Sequence, residues 1–238
     1  MPTRRAAFST LLGLALVLGT LGIVARASAQ EGRILPIPPV AQQTPVWCWA
    51  AVGEMALRHL RYPTVNGAGN FQCGIVAVAG WGTACKVNCG LPMCIQGIGT
   101  AGRLATVLRA YPMAVRAVTN GPVPDLDFDV AGALDPDEIA EEIDAGRPII
   151  AGISPGGLGH FLPPGVSEHV ALIVGYRREG STGRTLVVND PMPMTLVPFN
   201  PYLRAGGRPL RPGQYAIGYD AFVALIGYKD SLYGFSAD

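Results

Sequence analysis

Apolar positions recur with two different periods along this chain, and the change between them predicts its layout. From about residue 46 to residue 59 the spacing is helical: Ala51, Met55 and Leu60 share one stripe, and Tyr62-Pro63 ends it. Thr44-Pro45 supplies a start signal, because proline is tolerated in the first turn of a helix. The pattern predicts a second helix over residues 101–110, capped by Thr100 and ended before Pro112. A third opens at Asp135-Pro136-Asp137-Glu138, where a cap, a proline and acids meet the positive end of the helix, and closes at Gly146. Beyond it the period shortens. Residues 147–153, 169–176, 184–190 and 214–219 are short β-branched runs bounded by Gly, Pro or Asn, which predicts strands. Residues 30–45 read as an extended Pro-rich lead-in, and residues 64–99 as a glycine-rich, loop-rich patch. Helices first and strands later predict an α+β fold with a mostly antiparallel sheet.

The first residues stand apart from this pattern. Arg4 and Arg5 precede an apolar run of 14 residues, 11–24, which gives way to Ala27-Ser28-Ala29. A basic start, a short apolar core and an A-x-A site predict a signal peptide over residues 1–29, with a working domain over residues 30–238 that is secreted or periplasmic. The run is short for a membrane span, and no integral membrane anchor is expected. Without Arg4, Arg5 and Arg26 the formal charge moves from +1 to −2, which argues against nucleic acid as a partner. Charged residues are only 15%, and Gly and Pro number 31 and 21, scattered among periodic apolar segments. That composition suits a compact, loop-rich exported domain rather than a disordered chain.

Export changes how the five cysteines are read. Cys73, Cys85, Cys89 and Cys94 cluster, while Cys48 stands alone. In an oxidising compartment the cluster predicts two disulfides, with three possible pairings. The rival, a four-thiolate zinc site, lacks the paired C-x₂₋₄-C spacing such sites use, so no metal and no cofactor is expected. Cys48 is the thiol left over.

It lies in "QQTPVWCWAAVGEM", at the predicted start of the first helix. A thiol attacks as its thiolate, and the unpaired N–H groups of a first helical turn favour that anion, as does a neighbouring imidazolium. Three histidines could supply the ring. His59 is three turns along the same helix and cannot reach back. His169 opens the predicted strand "HVALIVGY", where a ring is held firmly; His160, in the Gly/Pro-rich segment "GGLGHFLPPG", is the reserve. The next strand ends "VVNDP", so Asp190 is the expected group to orient the imidazole, with Asn189 in reserve and an Asx-type turn as the structural alternative. Oxyanion donors are sought in the Cys48 N–H and the Gln42 side-chain amide.

Gln six residues before Cys, Cys-Trp-Ala at a helix start, a distant His opening a strand and then Asp-Pro, in that order, resemble the papain-like cysteine proteases. The likeness is to their short bacterial branches, the bacteriocin-leader-processing peptidases and the secreted effector proteases of plant pathogens. The resemblance implies a helical lobe, about residues 42–112, packed on an antiparallel sheet lobe, about 113–238. It makes Gln42 the oxyanion residue, Cys48 the nucleophile, His169 the base and Asp190 the orienting acid of a monomeric thiol peptidase acting on protein or peptide. Two features depart from papain: its third residue is Asn, and only 18 residues, 30–47, precede Cys48 after the expected cleavage, too few for a large inhibitory pro-segment. Transfer of the acyl group to an amine, as in transglutaminase-like folds, and a catalytically idle binding module are the alternative readings.

Overall fold

The structure is a computed structural model that describes residues 32–80, 82–98, 100–154, 168–179, 183–192 and 200–237. Among the described residues, eight strands form one antiparallel sheet. They are β1 (Gly32–Ile34), β2 (Leu126–Gly132), β3 (Ile149–Ile153), β4 (His169–Glu179), β5 (Gly183–Asn189), β6 (Arg208–Arg211), β7 (Gln214–Gly218) and β8 (Tyr228–Ala237). The order across the sheet is β2-β8-β3-β4-β5-β7-β6, with β1 added alongside the distal part of β4. The centre is apolar on both faces: every residue of β3, and β4 from His169 to Tyr176, is buried. This explains why those strands read as continuous apolar runs rather than alternating ones. The outer strand β2 does alternate, with Leu126 and Phe128 buried and Asp127 exposed between them.

The helices are α1 (Cys48–His59), α2 (Phe71–Val78), α3 (Thr83–Val87), α4 (Ala101–Thr119), α5 (Pro136–Asp144), α6 (Pro201–Arg204) and α7 (Tyr219–Ala224), with a 3₁₀ turn at Pro92–Cys94. α1 packs against α2 and β4, and nine of its residues are buried, including Trp49, Met55 and Leu57. α5 carries the cap its sequence promised. Asp135 accepts from the backbone N–H of Asp137 and Glu138, and Glu138 reaches back to the Asp135 N–H, forming a capping box.

Three expectations need correction. α4 does not end before Pro112 but runs through it to Thr119, because Leu104, Leu108, Tyr111 and Val115 continue one buried stripe on either side of the proline. Packing along that stripe offsets the hydrogen bond that proline cannot donate. Residues 64–99 hold two helices and a 3₁₀ turn instead of loop alone; the pieces are too short to show a clear period. Thr44-Pro45 lies upstream of the helix rather than in its first turn: α1 begins at Cys48, its N-cap is Trp47, whose N–H reaches the Thr44 carbonyl at 3.3 Å, and no side chain caps that end.

The cysteine cluster forms the crossed pairing, Cys73–Cys89 and Cys85–Cys94. One bridge ties α2 to the loop after α3, and the other ties α3 to the 3₁₀ turn. With all four sulfurs bonded to one another, the thiolates that a zinc site would need are gone.

Candidate active site

Cys48 is the first residue of α1, half-buried, and the free cysteine of the chain. The tryptophans on either side fix its surroundings through the disulfide region. The Trp47 indole N–H donates to the Cys94 carbonyl at 3.2 Å, and that of Trp49 to the Gln96 carbonyl at 3.0 Å. Both rings are buried, so the start of α1 is pinned to the segment that the Cys85–Cys94 bridge holds.

His169 is the first residue of β4, opposite Ile153 of β3, and is buried. Its Nε2 donates to Asp190 Oδ1 at 2.9 Å. Cys48 and His169 line the same cleft, and the ring interacts with the Cys48 side chain as well as with Asp190. Burial alone would depress the imidazole's pKa. The charges of Asp190 and Cys48 and hydrogen bonds to both outweigh it and raise the ring to about 10. The ring is therefore held as an imidazolium between a carboxylate and a sulfur.

Asp190, just past β5, is itself fully satisfied. Oδ1 also accepts from the Met192 N–H at 2.8 Å, and Oδ2 accepts from the Tyr202 hydroxyl at 2.8 Å. Tyr202 is wholly buried, stacked on Tyr215 with ring centroids 4.5 Å apart. Burial, and next the negative charge of Asp190, push its phenol well above the ordinary value, so it stays protonated and can donate to Asp190. No sequence signal marked Tyr202, which lies in a four-residue helix far from the motif residues.

The reserve Asn189 faces elsewhere. Neighbouring strand residues point to opposite sides. Asn189 donates to the Ile37 carbonyl at 2.9 Å and accepts from Gln214 at 2.7 Å, fastening the lead-in segment to the sheet. His59 is also accounted for, with Nε2 2.7 Å from the Gly146 carbonyl. His160 lies outside the described residues.

Gln42 is brought beside this group by its backbone. Its N–H donates to the Pro191 carbonyl at 2.9 Å, next to Asp190. The neighbouring Gln43 N–H donates to Gln72 Oε1 at 3.0 Å, while the Gln72 amide donates to the Ala41 carbonyl at 3.0 Å and to Glu54. Gln72, buried in α2, is a second residue that sequence reasoning passed over. The Gln42 side-chain amide donates to the Thr44 carbonyl at 2.8 Å. Serving an oxyanion would require that amide to exchange this partner for the substrate.

A cleft of about 420 Å³ opens beside the pair. Val46, Ile98, Ala101 and Val170 line it, together with Cys48, His169, Glu168, Lys229 and Asp230. Among the described residues, no group of three or more His, Cys, Asp or Glu is placed to hold a metal.

Comparison with known proteins gives a match to the model of the Peptidase_C39 like family over residues 109–198. The matched stretch includes His169 and Asp190 but not Gln42 or Cys48. Over it, the chain resembles a cysteine peptidase of papain-like type. Among solved structures, one described as a C39-like peptidase from Bacillus anthracis is similar at 11% identity and a TM-score of 0.45, covering 87% of this chain and 100% of that one. No curated protein matches the chain.

Proposed function

We propose that the chain is an exported cysteine peptidase with a papain-like division of labour. Its helical lobe, about residues 42–112, carries the nucleophile, and its sheet lobe, about 113–238, carries the base. The carrying observation is that the free thiol at the head of α1 acts on a buried His169 whose far nitrogen is bonded to Asp190.

The chemistry follows from that order. The imidazolium beside Cys48 keeps the sulfur as thiolate, which adds to the scissile carbonyl; the new C–S bond places negative charge on the former carbonyl oxygen. The Cys48 N–H, unpaired at the helix start, and the Gln42 amide stabilise that oxygen. As the C–N bond breaks, His169 gives its proton to the leaving amine. The neutral ring then takes a proton from water, whose hydroxide displaces the thiolate from the acyl group. Asp190 holds the ring's orientation and balances its charge throughout.

The test joins labelling to turnover. Iodoacetamide applied to the non-reduced protein is expected to label Cys48 rapidly, because it is the free cysteine, stands at a helix start and lines the open cleft. Wild type is expected to cut a peptide library that the Cys48→Ala variant leaves intact. Slow labelling at Cys48, or equal cleavage by the variant, overturns the reading.

A further inference from the structure

We propose that the cleft beside Cys48 and His169 receives a lysine or arginine side chain of the substrate, anchored by the Asp230 carboxylate. The inference rests on the peptidase reading and adds its substrate class.

The cleft has the shape of that side chain's chemistry. Its sides are apolar, with Val46, Ile98, Ala101 and Val170 suited to a methylene stem. Two acids, Glu168 and Asp230, and one cation, Lys229, also line it. These two acids are not equivalent. Glu168 is already paired with the Lys229 ammonium. Among the described residues, Asp230 Oδ1 is buried without a hydrogen-bond partner. Burial raises the Asp230 carboxyl above its ordinary value; Lys229 opposes this and Glu168 adds to it. A desolvated carboxylate oxygen with no donor is a costly arrangement, and an arriving ammonium or guanidinium supplies the missing partner.

The backbone makes deliberate room for this carboxylate. Asp230 of β8 lies directly across from Gly152 of β3, and Gly152 precedes Ile153, the cross-strand partner of His169. A Cβ on residue 152 would fall 1.7 Å from Asp230 Oδ1. Only glycine leaves the carboxylate its place over the strand, one residue from the register position of the catalytic imidazole. The acid lines the same cleft as Cys48 and His169.

The experiment uses N-acetylated peptides, which carry no free α-amine, differing at a single position among lysine, norleucine and glutamate. Wild type is expected to favour lysine over norleucine by about tenfold or more in kcat/KM at one position. Asp230→Asn is expected to bring that ratio close to one, and Asp230→Lys to favour glutamate. Equal cleavage of the lysine and norleucine peptides by wild type overturns the proposal, as does an unchanged ratio in Asp230→Asn. Binding of the same peptides to the inactive Cys48→Ala protein, followed by fluorescence anisotropy, needs no turnover. Lysine-selective binding without any cleavage by wild type would sink the peptidase reading and leave the cationic site standing. Cleavage without lysine preference would do the reverse. Should the Asp230 variants fail to fold, the wild-type ratio and the Cys48→Ala titration still decide.

Discussion

Two buried side chains behind His169 determine how the site should respond to change. Asp190 accepts three hydrogen bonds, and Tyr202 supplies the one to Oδ2. Tyr202→Phe removes that donor from a buried carboxylate at a cost of about 1–3 kcal/mol. The expected result is a lower unfolding midpoint together with a lower kcat/KM at temperatures where the fold is intact, because the partner of the His169 ring is less firmly held; a purely structural role would move only the midpoint. The imidazole itself gives a second expectation. Its value of about 10 in the fold exceeds the ordinary 6.5, so the native state holds this proton more tightly than the unfolded chain. Its stabilising contribution is fully present below about pH 6.5 and is lost as pH rises towards 10. Denaturant titrations should show the stability gap between wild type and His169→Gln narrowing across that window. The alkaline limb of activity should likewise lie well above the point at which a free imidazole loses its proton.

At the scale of elements, the disulfide region and α1 are tied into one piece. The crossed bridges close spans of 16 and 9 residues, each worth roughly 3 kcal/mol by restricting the unfolded chain. Trp47 and Trp49 hang the start of α1 on the segment so held. Replacing Cys85 and Cys94 together with serine should therefore lower stability by about that amount and also reduce kcat, since the anchor of Trp47 is the Cys94 carbonyl. Calorimetry and steady-state kinetics on the double variant separate the two effects. If stability falls while kcat holds, the tryptophan anchors are not what positions Cys48.

For the whole molecule, the site joins segments that lie far apart in the chain. The lead-in reaches β5 through Asn189, α2 through Gln72 and the Asp190 turn through the Gln42 N–H. Among the described residues no helix is long and apolar enough to cross a membrane. The expected boundary before Gln30 has a direct check. Protein expressed from the full sequence in a bacterial host and recovered outside the cytoplasm should begin at Gln30 by N-terminal mass spectrometry. A species retaining Met1 in that fraction would count against the signal peptide.

What the chain's order of residues determined by itself was the local chemistry. Capping at Asp135 and Thr100, the helix starting at Cys48 and the apolar runs of β3, β4 and β5 all depend on neighbours a few residues apart, so they are legible in a one-dimensional string. An odd cysteine and a histidine opening a strand could be recognised for the same reason. Tertiary structure alone decided the rest. It chose Asp190 over Asn189, because strand register puts one on the imidazole side and sends the other to the lead-in. It selected one disulfide pairing of three, carried α4 through Pro112, and brought Tyr202, Gln72 and Asp230 to a site that no spacing connects them with. These outcomes depend on side chains meeting across long separations, where register and packing act and local preference carries no information.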